Sequence, residues 1–241
     1  MERLNVATIY PAFMGEVNCH GIGAPCTFLR LAGCNLRCYA STLGHPCDTP
    51  EALEGTCGNK MTVAEIIMQL GILGNNLVCI TGGEPLRQDL TELLDELRTH
   101  DYKVVIETNG SCSISPYLGK YPGLSFVVDV KAPSTGESNK MLEGNYPVME
   151  KDDFIKFVVK TWEDYNAARD WWNKHKNIYH GQVALGLYWG SDVSYQEVMS
   201  AIIREGLPFY LNCQQHKMCY LYDTAQKAYI DVQKIKIPRN I

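Results

Sequence analysis

Three cysteine residues lie close together near the start of the chain. Three residues separate Cys34 from Cys38, and eight separate Cys38 from Cys47, so one loop could bring three thiolates to one centre. Thiolate sulfur selects zinc, copper(I) or iron–sulfur clusters. A structural zinc site normally has four protein ligands, whereas three cysteines leave one metal position open for another ligand. The spacing alone leaves zinc and iron–sulfur as alternatives.

The composition restricts the class of protein. A chain of 241 residues that is 46% hydrophobic suits one large α/β domain or two small ones. A net charge of -5 argues against a broad nucleic-acid surface and favours a small-molecule substrate. No apolar run approaches the roughly 18 residues of a membrane-spanning helix, and no secretory signal begins the chain. We therefore expect a cytoplasmic protein without membrane contact, whose cysteines are reduced or bind metal.

Strand-like and helix-like segments alternate after the cysteine loop. The predicted strands cover residues 28–31, 77–81, 103–107, 125–130, 154–160, 183–188 and 209–211. Helices are predicted from capping boxes that begin at Thr62 and Ser194, from leucines at helical spacing between residues 90 and 97, and over residues 162–175. This order is typical of parallel β/α units. Because no linker or repeat interrupts it, we expect a single α/β domain over residues 1–241, an open, partial β/α barrel with parallel strands.

Polar motifs follow several of the predicted strands. They occupy residues 81–85, 107–110 and 129–133, and the cysteine loop follows the strand at residues 28–31. In parallel β/α folds, the loops at the carboxyl ends of strands carry the chemistry. Gly82 and Gly83 would let a ligand approach exposed backbone, and Glu84 offers a carboxylate to a ligand ammonium group. We expect these motifs to share one rim with the cysteines.

The ordered motifs resemble those of the radical S-adenosylmethionine superfamily. In that superfamily, three cysteines bind a 4Fe–4S cluster, and the amino and carboxylate groups of S-adenosyl-L-methionine occupy the free iron. Within the superfamily the chain resembles the 7-carboxy-7-deazaguanine synthase family over nearly its whole length. The resembling segments are residues 10–16, 23–25, 28–38, 47–49, 81–85, 107–110, 129–134, 155–159 and 215–217.

The resemblance implies a lyase reaction in 7-deazapurine (queuosine-type) biosynthesis. The substrate would be 6-carboxy-5,6,7,8-tetrahydropterin, and the products 7-carboxy-7-deazaguanine and ammonia. The implied cofactors are a 4Fe–4S cluster, S-adenosyl-L-methionine and Mg²⁺. The implied partners are the small pterin and a flavodoxin- or ferredoxin-like electron donor, with no direct nucleic-acid binding, and a homodimer is compatible with the family. A glycyl-radical activase and a zinc-stabilised binding module are the alternatives.

The resemblance also assigns site residues. It implies that Cys34, Cys38 and Cys47 bind the cluster and that Thr49 contacts Mg²⁺. The implied substrate-binding residues are Phe13, Met14, Gly15, Glu16, Arg30, Thr81 and His216. The implied cofactor-binding residues are Pro46, Asp48, Gly82, Gly83, Glu84, Asp129, Val130 and Lys131. No catalytic side chain is expected beyond the cluster and its cofactor.

Several of these residues have plainer interpretations. Arg30 could extend to solvent from a strand end, Thr49 could cap a helix, and Glu16 could be an exposed surface residue. Asp129 and Lys131 could form a structural ion pair. Two features depart from the family: Met14 stands where the family usually has Gln, and the spacing before Cys47 predicts an insertion over residues 39–46.

Overall fold

A computed structural model describes residues 3–44, 47 and 49–215. The strands are β1 (Arg3–Phe13), β2 (Pro25–Leu31), β3 (Asn59–Thr62), β4 (Leu77–Gly82), β5 (Lys103–Thr108), β6 (Leu124–Val130), β7 (Phe154–Val159), β8 (Gln182–Leu187) and β9 (Phe209–Asn212). The α-helices are α1 (Val63–Leu73), α2 (Thr91–Thr99), α3 (Trp162–His175) and α4 (Tyr195–Glu205). The expected α/β alternation is confirmed.

The strands form one nine-stranded open sheet in the order β3-β1-β2-β4-β5-β6-β7-β8-β9. From β2 to β9 each neighbouring pair is parallel, as predicted. The edge formed by β1 and β3 is antiparallel and was not predicted. Pro11 obscures the strand pattern of β1, and β3 has only four residues, none of them buried. The predicted fold class, an open, partial β/α barrel with parallel strands, is therefore confirmed for β2 to β9, and the sheet as a whole is mostly parallel.

Side-chain caps fix where three of the helices begin. Thr62 and Glu65 form the predicted capping box of α1, and Ser194 and Glu197 form that of α4. A third box, between Thr161 and an aspartate at the third helical position, begins α3 at the predicted residue. Each box satisfies amide groups that the first helical turn leaves without partners. The caps therefore determine the residues at which these three helices begin.

The sheet has two apolar faces of different character. One face packs against the helices and carries the larger core, which includes Leu29, Ile80, Ile106, Val128 and Ile155. The opposite face, here called the inner face, carries a smaller apolar cluster to which none of the four α-helices contributes. Because neighbouring residues of a strand point to opposite faces, both clusters arise from the same strands. No helix in the described part of the chain is long and apolar enough to span a membrane.

Candidate active site

The inner face changes from apolar to polar along the direction of its strands. Its apolar layer consists of Met14, Val17, Cys26, Leu77, Cys79, Val105, Val127, Phe154 and Ala184. Two residues further along five of these strands, the positions on the same face are polar: Arg30 lies beyond Phe28, and Thr81, Glu107, Asp129 and Lys156 occupy the equivalent places. These five residues are called the polar layer. It lies toward the carboxyl ends of the parallel strands, where β/α folds place their sites.

An ion network forms one side of the polar layer. Lys156 is only 6% exposed, and its Nζ lies 3.1 Å from Asp129 Oδ1 and contacts a carboxylate oxygen of Glu16. Lys131 Nζ donates to Asp129 Oδ2 at 2.9 Å. Burial by itself would raise the pKa of Asp129, but the two ammonium groups together hold that pKa below its ordinary value. Asp129 and Lys131 therefore form an ion pair, and their contact with a cofactor stays a prediction.

Glu16 is held within this network from several directions. Its Oε2 accepts hydrogen bonds from Lys156 and from Asn212 Nδ2, and its Oε1 accepts one from Gln214. Burial favours the neutral acid, yet the neighbouring Lys156 lowers the pKa of Glu16 below its ordinary value. The Glu16 side chain is only 13% exposed, so the interpretation as a surface glutamate is wrong. Its contact with substrate stays a prediction.

Arg30 projects into the polar layer from β2. Its Nη2 donates to the Tyr10 hydroxyl at 3.2 Å, and the Tyr10 ring stacks on Phe28 with centroids 5.4 Å apart. The Nε of Arg30 is buried and has no hydrogen-bond partner among the described residues; Glu51 Oε1 lies 3.9 Å away. The side chain is only 16% exposed and does not extend to solvent. A buried donor without an acceptor is costly, which suits an anionic ligand at this position.

Glu107 is a carboxyl group of the polar layer whose surroundings stabilise the carboxylate form less than those of Asp129 do. Thr81 Oγ1 donates to it at 3.1 Å, which also places Thr81 in the layer. Burial raises the pKa of Glu107; Lys156 opposes the rise, and the carboxylates of Glu16 and Asp129 add to it. Of the three carboxyl groups on this face, Glu107 is therefore the one that gains a proton most readily.

The Gly-Gly-Glu loop packs tightly against the cysteine loop. A Cβ at Gly82 would lie 2.0 Å from Leu31 O, and one at Gly83 would lie 2.6 Å from Gly33 O. Gly83 N also donates to Leu31 O at 3.0 Å. The two glycines are therefore required for close contact between protein backbones. Their contact with a cofactor stays a prediction.

The Glu84 side chain anchors this loop from within. It is fully buried, and its carboxylate accepts hydrogen bonds from Thr108 Oγ1 at 2.8 Å, Asn109 N at 2.7 Å and Leu86 N at 3.0 Å. Burial raises its pKa, against the effect of these donors. The Glu84 carboxylate thus links the loop after β4 to the loop after β5, and its contact with a ligand ammonium group stays a prediction.

The cysteine loop lies beside these anchored segments. The sulfur of Cys34 accepts from Leu36 N at 3.4 Å and from Asn109 Nδ2 at 3.6 Å, and Cys38 is buried in a small cluster with Leu36 and Tyr39. Amide donors aimed at sulfur suit a cysteine thiolate that binds an iron–sulfur cluster. Within the described ranges, no three or more His, Cys, Asp or Glu side chains are grouped to hold a metal ion. The three-cysteine site therefore stays a prediction that the chemistry around Cys34 supports.

Of the predicted site residues at positions 46–49, only Cys47 and Thr49 lie within the described part of the chain. Both are partly exposed, and Thr49 stands at the N-cap position of the 3₁₀ turn Pro50–Ala52, although its side chain makes no capping hydrogen bond there. Pro46, Asp48 and His216 lie outside the described residues. Nothing here places them in the site.

Three neighbouring residues at the end of β1 differ in their surroundings. Phe13 is 52% exposed, whereas Met14 is buried in the apolar layer. The carbonyl oxygen of Gly15 accepts a hydrogen bond from Gln215 N at 2.7 Å.

Val130, at the end of β6, is buried in the core that packs against the helices. Any ligand contact by Val130 or Gly15 would therefore use the backbone.

The described part of the predicted insertion packs on the loop after β6. Tyr39 N donates to Thr135 O at 2.8 Å, and Thr42 Oγ1 donates to Ser134 O at 2.6 Å. The Tyr39 ring lies 4.7 Å from that of Tyr188, between centroids, near the end of β8. Residues 39–44 therefore cover the same edge of the sheet as the polar layer.

Several residues of the site had no predicted role. Tyr10, Glu107 and Lys156 lie in the resembling segments, but only the fold shows that they converge. A lysine between buried apolar residues of a strand was a usable signal, because a lone buried ammonium group needs a partner. The amides of Asn212 and Gln214 gave no signal, since such residues are common at strand ends.

Comparisons with known proteins agree with this arrangement. The chain is 35% identical over 219 residues to the 7-carboxy-7-deazaguanine synthase of Methanospirillum hungatei, covering 89% of this chain and 84% of that protein. It is 36% identical over 175 residues to the protein of the same name from Koribacter versatilis, covering 71% and 72% of the two chains. No protein-family model matches the chain.

The fold has a solved counterpart. The structure of QueE from Escherichia coli superposes with a TM-score of 0.70 at 20% sequence identity, covering 89% of this chain and 95% of that chain. At this level of identity the similarity shows the fold alone. The family is shown by the relatives that match in sequence. Because those relatives match over most of both chains, the protein belongs to the 7-carboxy-7-deazaguanine synthase family.

Proposed function

We propose that this protein is a radical S-adenosylmethionine lyase that converts 6-carboxy-5,6,7,8-tetrahydropterin to 7-carboxy-7-deazaguanine and ammonia. The observation that supports the proposal is the polar layer of the inner face, where Arg30 lies beside Thr81 on the neighbouring strand and Lys156 contacts both Asp129 and Glu16. The names of the relatives support the product. Such a pocket offers a cation to a carboxylate and a carboxylate to the N–H groups of a pterin.

Arg30 would bind the substrate carboxylate. Its buried Nε has no hydrogen-bond partner among the described residues, and a guanidinium fork suits a planar anion. The Tyr10 hydroxyl holds one end of the fork at 3.2 Å. The substrate carboxylate would supply the missing acceptor, and the Arg30 guanidinium would fix the position of the carbon that bears it.

Glu16 would bind the aminopyrimidine edge of the substrate. The Gln214 amide now donates to Glu16 Oε1, so a substrate N–H could replace that donor without leaving the oxygen unpaired. Lys156 and Asn212 would keep the other oxygen in place. Both ends of the pterin would thus be oriented by side chains that other protein groups already hold.

The family implies a 4Fe–4S cluster and S-adenosyl-L-methionine, and when bound they would supply the radical chemistry needed to remove a hydrogen atom from the substrate carbon that bears the carboxylate. Cys34, Cys38 and Cys47 would hold the cluster, and the N–H donors to the Cys34 sulfur would stabilise its negative charge. Asp129 and Lys131 would contact the cofactor from the end of β6. The described side chains around the polar layer would exclude water from the reactants.

Further parts of the proposal go beyond the family relationship. Thr49 would contact a Mg²⁺ ion, with substrate oxygens and water as the other ligands. A flavodoxin- or ferredoxin-like protein would donate the electron, and a homodimer is compatible with the proposal. The single domain over residues 1–241, the insertion over residues 39–46 and the cytoplasmic location also stay predictions.

Anaerobic turnover of the carboxypterin with S-adenosylmethionine, Mg²⁺ and a reductant tests the function. We expect formation of the deazaguanine, and omission of Mg²⁺ tests the ion. Cleavage of S-adenosylmethionine without that product would contradict the substrate and retain the radical chemistry, as a glycyl-radical activase would show. Stoichiometric zinc with no iron or sulfide in the isolated protein would instead indicate a zinc-stabilised module.

Substitution of Cys47 tests the cluster ligands. We expect Cys47→Ala to lose the brown absorbance of the reconstituted cluster and both cofactor cleavage and turnover, because two thiolates would remain for a site that needs three. Cys57→Ala is the matched control, since Cys57 is exposed and lies outside the predicted ligand set. A Cys47→Ala protein with normal iron content and activity would reject Cys47 as a ligand.

A further inference from the structure

Lys156 lies on β7, between β6 and β8, and the register of these strands determines its neighbours. It pairs with Asp129 on β6 and with Ala184 on β8. Paired residues of neighbouring parallel strands point to the same face, so the register places the ammonium group beside the Asp129 carboxylate. The short Ala184 side chain on the other flank leaves room for a long side chain. The position of Lys156 is therefore fixed by the backbone.

The ammonium group of Lys156 contacts two carboxylates with different predicted ligands. One is Glu16, expected at the substrate, and the other is Asp129, expected at the cofactor. Lys131 also contacts Asp129, whereas Lys156 is the cation found beside Glu16 within the described ranges. One buried side chain thus links the two predicted binding regions.

We infer that Lys156 is a positioning residue that aligns the Glu16 and Asp129 carboxylates, so that substrate and cofactor are bound in one geometry. The inference rests on the proposed function and adds a residue to it. Buried ion pairs contribute little net stability when compared with well-packed apolar residues, so stability gives no reason for a lysine here. Alignment of two ligand-binding carboxylates does give one, because catalysis depends on fixed geometry between the reactants.

A shared positioning residue predicts coupling between the two ligands. When one ligand orders its carboxylate, the ammonium group is ordered too, and the second ligand then meets a carboxylate already in place. Binding of either ligand should therefore strengthen binding of the other by the same factor. Removal of the ammonium group should weaken each ligand alone and also reduce that factor.

Direct binding measurements on the reconstituted full chain, without reductant, test this inference. The probes are oxidised 6-carboxypterin, followed by its fluorescence, and S-adenosylmethionine, followed by equilibrium dialysis, each alone and with the other present. For Lys156→Met we expect both Kd values to rise about tenfold, as loss of a buried charge partner would cause, and the coupling factor to approach one. Lys156→Arg should restore part of the coupling.

Lys174→Met is the matched control, because Lys174 pairs with Glu143 on the exposed side of α3. It should change neither Kd. A Lys156→Met protein that unfolds more easily but keeps both Kd values and their coupling would show a structural role and overturn the inference. If the wild type forms no deazaguanine in the turnover assay, the proposed substrate fails, and an unchanged Kd for S-adenosylmethionine in Lys156→Met would still overturn the inference.

Discussion

The apolar layer and the polar layer of the inner face lie on the same strands but differ in the type of side chain. Val105 and Val127 belong to the apolar layer, whereas Glu107 and Asp129, two residues further along β5 and β6, have carboxyl side chains. Because the strand repeat is two residues, both layers face the same interior. The apolar layer closes one end of that interior, and the polar layer faces the other end. A single change in side-chain type along each strand thus divides the inner face into an apolar layer and a polar layer.

The two layers also differ in how they are held. Apolar side chains need only a filled volume, whereas each charge of the polar layer needs a partner in a fixed place. Lys156 and Lys131 supply partners to Asp129, and Asn212 and Gln214 supply them to Glu16. Removal of a partner should therefore cost more in the polar layer than removal of volume costs in the apolar layer.

The largest expected effect comes from Asp129→Ala. This change leaves two buried ammonium groups without their shared carboxylate, and loss of one partner of a buried pair costs about 3–5 kcal/mol. Val127→Ala, two residues earlier on β6, removes two methyl groups and should cost about 2 kcal/mol. Urea unfolding of both anaerobically reconstituted variants gives the two free energies of unfolding. A larger loss in Val127→Ala would contradict the contrast between the layers.

The sequence was sufficient for much of the fold because local signals set it. The residues that begin and end α3 follow from the cap at Thr161 and the charged last turn, and the buried strands follow from their apolar runs. The polar layer is different, because its contacts are not local. Glu16 and Lys156 are 140 residues apart, and only the order and register of the strands bring them together. Periodicity predicts which face a residue occupies, but it does not identify the neighbour across the sheet.

An intermediate effect is expected where the chain departs from its family. Met14 is buried in the apolar layer, so Met14→Gln would place an amide among carbon and sulfur atoms. Burial of an amide without hydrogen-bond partners costs about 1–3 kcal/mol in proteins. Met14→Leu, which keeps the volume, should cost less than about 1.5 kcal/mol. Urea unfolding measures both variants. Equal stability of Met14→Gln and the wild type would mean that the amide forms hydrogen bonds with polar groups, and would contradict the separation of the apolar layer from the polar layer.

The smallest expected effect is a gain in stability, whereas the substitutions above reduce it. Burial raises the pKa of Glu107 above its ordinary value of 4.5, with Lys156 opposing the rise and the carboxylates of Glu16 and Asp129 adding to it. A carboxyl group with a raised folded-state pKa contributes stability below the unfolded pKa and loses it as pH rises through the folded value. The Glu107 carboxyl group therefore contributes less to stability at neutral pH than at acidic pH. Such a cost is common where a site is built for binding.

Glu107→Gln removes that charge and retains a carbonyl oxygen for the Thr81 hydroxyl. We expect its Tm to exceed that of the wild type by a few degrees at pH 7 and the difference to shrink as the pH falls, because protonation of Glu107 removes the charge that burial disfavours. Calorimetry at several pH values measures the trend. Glu92→Gln on the exposed side of α2 is the control and should show no such trend. A difference that grows toward low pH would mean that Glu107 is stabilised as a carboxylate, and the polar layer would then hold three compensated charges.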